Sequence, residues 1–155
     1  MDNASKLSFK IKLREFCEDI IRHRINASKT MMESAQQSAN SEEKSSAGDK
    51  YETSRAMGHL EKDMHARQLA ENLKELASLQ SVNCNTLYDK VTIGSFVDAG
   101  KISFFIAAGL GKHNVEERTI YFLSPQSPLA KIMMNKKAGD AFEFNKEKLT
   151  VADLF

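Results

Sequence analysis

The chain contains no tryptophan, two prolines and two cysteines, and no apolar run of the roughly 18 to 20 residues that a membrane span needs. Each shortage excludes something. Cys17 and Cys84 stand far apart with no Cys-x-x-Cys spacing and no histidine grouped around them, which argues against a zinc site or a disulfide framework. Both read as small buried residues. His59 and His65 miss the i,i+4 spacing that would put two ligands on one helical face. The N-terminal Met1-Asp2-Asn3-Ala4-Ser5 lacks the basic-then-apolar layout of a leader, so a cytoplasmic location is the expectation. No excess of one charge exists either. The net charge is +1, with 13 basic and 13 acidic groups in residues 1–80 and 9 and 8 in residues 81–155. That balance excludes the broad basic stripe of a nucleic-acid binder, so any work on nucleic acid must come through a partner or a local patch.

What is there divides in two near residue 80. Hydrophobic residues make up 41% and charged residues 28% of the 155, an ordinary globular composition, but only Phe9, Phe16 and Tyr51 among the aromatics lie in the first half. Both prolines, Pro125 and Pro128, lie in the second. From about Lys6 to Ala39 no glycine or proline interrupts apolar residues recurring at Leu13, Phe16, Ile20 or Ile21, Ile25, Met31 or Met32, and Ala35, which predicts one long amphipathic helix. Residues 40 to 48, Asn-Ser-Glu-Glu-Lys-Ser-Ser-Ala-Gly, are polar and end in glycine, as where a helix stops and the chain reverses. Helical grammar resumes at Asp49, with apolar rows Met57, Leu60, Met64 and then Leu69, Leu73, Leu76 separated by a five-residue step. The expectation for residues 1–80 is an antiparallel helical hairpin, each helix about 45 Å long.

Residues 81–155 read as short strands and turns. Candidate strands are Lys90 to Val97, Lys101 to Ala107, Arg118 to Leu123, Ala141 to Phe144 and Leu149 to Ala152, with turns at Asp98-Ala99-Gly100 and Gly109-Leu110-Gly111. One short helix is expected after Ser127. That serine is a natural N-cap, Pro128 suits the first helical position, and Leu129, Ile132 and Met133 form a stripe closed by Lys136, Lys137 and Gly139. Together the halves make an α+β protein, a helical hairpin followed by an antiparallel sheet with one helix.

The hairpin tip carries Glu42, Glu43, Asp49 and Glu52 against Lys44 and Lys50. Asp49 and Glu52 stand at i,i+3, so on a helix their Cβ atoms lie about 5 to 6 Å apart and could jointly hold a hard divalent cation. Asp49-Lys50-Tyr51-Glu52 after Gly48 also fits a capping box, with Asp49 accepting from the backbone and Glu52 reaching back. Both readings stand at this point.

The segment Gly48-Asp49-Lys50-Tyr51-Glu52 resembles the Gly-Asp-x-x-Glu tip of the GreA and GreB transcript-cleavage factors. The run Ser127-Pro128-Leu129-Ala130-Lys131-Ile132-Met133-Met134, followed by Lys136, Lys137, Gly139 and Asp140, is similar to their C-terminal signature, and Ile93-Gly94-Ser95-Phe96-Val97 to the strand opening that domain. The resemblance implies an FKBP-like C-terminal domain over 81–155 that docks on bacterial RNA polymerase, with Ser127, Pro128 and Lys131 at the docking surface, and a hairpin entering the secondary channel. It further implies that Asp49 and Glu52 share Mg2+ with the polymerase and stimulate hydrolysis of backtracked RNA, with Lys50 and Arg55 near the RNA 3′ end. Metal is expected only in that complex, and the protein is expected to be no enzyme by itself, a monomer, and without membrane contact. After Glu52 the chain reads Thr53-Ser54-Arg55-Ala56, where the family has Asn-Ala-Glu-Tyr, so a non-cleaving channel binder is the alternative. A dimerising coiled coil and a prolyl isomerase are the remaining classes, the second disfavoured by the lack of an aromatic-lined pocket.

Overall fold

The computed structural model describes residues 1–42 and 48–155; the side chains at 39, 41, 42, 48–51 and 54 also lie outside the description. Helix α1 runs Asn3–Glu42 and α2 Gly48–Gln80. They are followed by β1 (Phe96–Asp98), β2 (Ser103–Ile106), β3 (Gly111–Val115), β4 (Arg118–Leu123), α3 (Pro128–Met133), β5 (Ala141–Phe144), β6 (Glu147–Thr150) and β7 (Asp153–Leu154). The expected α+β architecture is present: a helical pair, then a mostly antiparallel sheet with one short helix. The chain forms two compact units, Met1–Glu18 with Ser78–Phe155, and Asp19–Ala77.

In the first unit the strands are ordered β3-β4-β2-β1-β7, antiparallel except for the parallel β2–β4 pair, and β5 and β6 form a separate hairpin. Because side chains alternate along a strand, the sheet presents two apolar faces. Val97, Phe104, Ile106 and Leu154 point to one, where Ala130 and Met133 of α3 and Phe142 of β5 cover them. Phe96, Phe105, Phe122 and Phe155 point to the other. Phe9 meets Phe96 edge-on at 5.1 Å between centroids, and Phe16 stacks on Phe122 at 5.4 Å, so the start of α1 covers this second face. Helix α1 begins earlier than its apolar periodicity suggests because Asp2 caps it, its Oδ1 accepting from Ser5 N at 2.7 Å.

The short helix follows its sequence signals: Ser127 is the N-cap, its side chain accepting from Ala130 N, and Pro128 opens the first turn. Strands β4 and β5 also lie where the pattern puts them. Elsewhere local chemistry cuts the strands. Lys90 to Val97 yields only a strand from Phe96, because Gly94 takes φ +92° and Ser95 Oγ both donates to Thr92 O and accepts from Thr92 N. Of the expected Leu149 to Ala152 strand only Leu149 and Thr150 are strand, at the end of β6; Val151 N then bonds Asp140 O and Ala152 N bonds Asp98 O as the chain passes to β7 in the other sheet. Strand β3 replaces part of an expected turn. It is joined to β4 by Glu116 and Glu117, both at positive φ (51° and 65°), the backbone of a type I′ hairpin turn.

Gly94 and Gly100 share a φ near +92° but not their surroundings. A Cβ on Gly94 would meet Asn83 O at 2.6 Å, whereas one on Gly100 would meet nothing within 4 Å. Gly100→Ala should therefore cost only the left-handed strain, about 1 to 2 kcal/mol. Gly94→Ala should cost clearly more, read as the difference in urea unfolding midpoints; equal costs would mean that the Asn83 contact is not made.

Candidate functional site

The residues singled out in the sequence fall in three places. Glu52 and Arg55 are exposed on α2, while the side chains of Asp49 and Lys50 lie outside the described residues, so the proposed carboxylate pair is not described. Ser127 and Pro128 open α3, and Lys131 is exposed on its outer surface. Cys17 and Cys84 are buried thiols of the first unit, as their reading anticipated. Among the described residues no three His, Cys, Asp or Glu side chains converge as metal ligands would, and no helix is long and apolar enough to cross a membrane.

The second unit is built on a coiled-coil seam with an unusual filling. Ile21, Ile25, Ser28, Met32 and Ala35 on α1, and Gly58, Lys62, His65, Leu69, Asn72 and Leu76 on α2, are buried or half-buried in the alternating four-and-three rhythm of a heptad, with Ile20, Gln36, Ala66 and Glu75 half-buried beside them. Lys62 Nζ donates to Gln36 Oε1 at 2.6 Å, fixing the antiparallel level. The seam mixes apolar residues such as Ile25 and Leu69 with polar or small ones such as Ser28, Gly58, His65 and Asn72. Beside it Arg24, Ala27, Ser28, Gln68, Glu71 and Asn72 line a shallow hollow of about 300 Å³.

Of the two apolar rows on α2, Leu69 and Leu76 of the second lie in this seam and the first lies outside it. Met57, Leu60 and Met64 are 59%, 68% and 49% exposed, and Leu73 of the following row is also exposed. They stand at i, i+3 and i+7, one stripe on the surface of α2 turned away from the seam. The sequence made the row visible but not its orientation, because a five-residue step allows either row to face the partner helix.

A second group escaped sequence reading. Lys10 is fully buried in the first unit, its Nζ donating to Thr86 O at 2.6 Å and lying 4.5 Å from the centre of the Tyr88 ring. Burial lowers its pKa from 10.5 to about 8, opposed by the neighbouring Cys84. Burial raises the Cys84 thiol, with Arg14 and Lys10 pulling it down and Glu18 pushing it up. The signal existed: Lys10 lies on the Leu13–Cys17–Ile21 row at i−3, a lysine on an apolar stripe. Its enclosure makes it a structural cation rather than an accessible nucleophile.

A family model described as Moulting cycle matches residues 1–143. The chain belongs to the Moulting cycle family. No curated protein matches it. This membership overturns the resemblance to GreA and GreB, and with it the reading as a transcription elongation factor acting on bacterial RNA polymerase, in both its cleaving and non-cleaving forms. The motifs that carried the resemblance have local physical causes. Ser127-Pro128 is a helix start, Gly94-Ser95 is a turn with positive φ and a side-chain clamp, and at Gly139-Asp140 the glycine takes φ +92° while Asp140 Oδ2 accepts from Lys137 N at 2.8 Å. Such solutions recur wherever a Moulting cycle protein, or any other, needs the same turn.

The buried lysine yields a test of the first unit. Its folded pKa lies below its unfolded one, so between about pH 8 and 10.5 the unfolded chain binds more protons and stability rises with pH. Below that window the cost of burying the ammonium is fully present. Cys84 acts oppositely, removing stability as pH climbs past 9.0. Lys10→Met removes the first effect, together with the pull of Lys10 on the Cys84 thiol. The unfolding free energy of wild type minus that of Lys10→Met should climb between pH 8 and 10, approaching about 1.4 kcal/mol per unit. A flat difference across that range would show that the ammonium is not desolvated.

Proposed function

We propose that this Moulting cycle protein works by binding another protein rather than by catalysis, and that the outward row Met57, Leu60 and Met64 of α2 is its anchor. One observation carries the reading: three large apolar side chains stand in water on a helix whose inner seam holds Lys62, His65 and Asn72. An i, i+3, i+7 stripe is the pattern by which a helix enters an apolar groove on a partner. Methionine on both sides of Leu60 suits an adaptable contact, since its unbranched chain fills irregular surfaces. Full burial of each side chain would contribute about 1.5 to 3 kcal/mol, an anchor to which the surrounding interface adds what the cost of association requires. The family description gives the process, the moulting cycle, in which that partner is to be sought. Two buried thiols suit a reducing compartment, and a cytoplasmic location is part of the reading.

Stability and binding separate under this reading. Leu60→Gln should change unfolding free energy by no more than about 0.5 kcal/mol, whereas Leu76→Ala, buried in the seam, should cost about 2 to 5 kcal/mol. A photoreactive residue at position 60 should crosslink to a discrete partner, and Met57→Lys with Met64→Lys should abolish the adduct. A loss of stability for Leu60→Gln as large as that of Leu76→Ala would make the row a core and defeat the reading. Adducts unchanged by the two lysine substitutions would also defeat it.

A further inference from the structure

A single exposed apolar side chain is ordinary on a protein surface, but Ile93 and Ile132 are 46% and 56% exposed in two segments of the first unit that each carry lysines. The fold links these segments. Val91 N donates to Lys136 O at 2.8 Å and Asn135 N to Val91 O at 2.9 Å, tying Val91, two residues before Ile93, to the segment just after α3. Helix α3 buries Ala130 and Met133 in the core that includes Val91, which turns Lys131 and Ile132 outward. Lys90 and Lys137 are exposed and Lys136 half-buried. Among the described residues none of these four lysines forms an ion pair with a carboxylate. The acidic groups nearby in the chain are Asp89 and Asp140, and Asp140 is held by the Lys137 backbone N–H. The local balance is positive on a protein that is otherwise neutral.

We propose that this surface is a peripheral docking site for anionic lipid headgroups, with Ile93 and Ile132 entering the boundary of the acyl region and the four lysines meeting the phosphates. Charge complementarity commits the site to an anionic occupant, and the exposed isoleucines to one with an apolar layer beneath its charge. An extended peptide is the poorer fit, because main-chain groups it would pair with are already used. Val91 bonds Lys136 and Asn135 on both its N–H and its carbonyl, and Thr92 N and O are both taken by Ser95. A fluid charged surface needs no such groups. The expectation of no membrane contact rested on the lack of a span and a leader, neither of which bears on a patch of this kind. The site lies on different residues from the α2 row and does not depend on it.

Sedimentation with phosphatidylcholine vesicles, with and without phosphatidylserine, tests the site on the full chain. Binding should require phosphatidylserine and weaken as salt is raised. Lys131→Gln and Lys137→Gln should each lower partitioning about fivefold, the factor for one cation near an anionic surface. Ile93→Ser with Ile132→Ser should lower it further, while Leu60→Gln leaves it unchanged, and circular dichroism should show the same fold in all variants. Equal binding to vesicles without phosphatidylserine would overturn the proposal. So would no binding to either kind, or full binding by the folded lysine and isoleucine variants. Capture of a poly-glutamate peptide in the absence of vesicle binding would overturn it in favour of an acidic protein partner.

Discussion

The first unit depends on a sheet that is apolar on both faces and therefore needs two covers. One cover comes from nearby in the chain, α3 and the β5–β6 hairpin, over Val97, Phe104 and Ile106. The other must come from the N-terminal turns of α1. Without Phe9 and Phe16, the rings of Phe96 and Phe122 would lose their covering aromatic contacts, at about 1.5 to 3 kcal/mol for each side chain returned to water. The chain thus folds its beginning against its end, a non-local closure that folding must make before the sheet is protected.

That closure explains the buried lysine. The stripe of α1 that faces inward passes through position 10 as well as 13 and 17, and whatever occupies position 10 is enclosed. A lysine is tolerated because the residues after α2 supply what the ammonium lost in leaving water: the Thr86 carbonyl and the face of Tyr88. The Tyr88 hydroxyl in turn donates to Asn83 O at 3.3 Å, and Asn83 O is the atom that a side chain at position 94 would strike. The lysine, the tyrosine and the glycine act on one short segment, and their separate constraints specify one path for it.

Much of this was legible in the sequence because it is local. Helical spacing, the Ser127-Pro128 start and the Arg118–Leu123 and Ala141–Phe144 strands each depend on residues within a few positions of one another. Strand β3 was not, since Gly-Lys-His-Asn-Val lacks an apolar alternation and its Glu116-Glu117 turn lacks the Asn-Gly or Gly that normally marks positive φ. The burial of Lys10 depends on partners some eighty residues away, which periodicity cannot name. The family was misread for a related reason. Motifs such as Gly-Ser before a strand or Ser-Pro before a helix reflect backbone requirements shared by unrelated folds, so a series of them in order mimicked kinship.

The helical pair shows a different limit. Periodicity finds apolar rows but cannot say which row meets the neighbouring helix when two rows are offset by an irregular step. Here Gly58, Lys62, His65 and Asn72 take the inner positions and Met57, Leu60 and Met64 the outer ones. A pair serving only as a spacer would be more stable with the two sets exchanged, because polar seam residues cost stability and outward methionines and leucine bury nothing. The existing arrangement trades that stability for two things. Polar seam positions hold one register, as the Lys62–Gln36 bond does, and the outer row remains free to transfer its burial energy to another molecule. An inner seam that specifies and an outer row that binds are what a recognition helix requires. The physical oddity of the unit is thereby the strongest ground for reading it as an interaction surface.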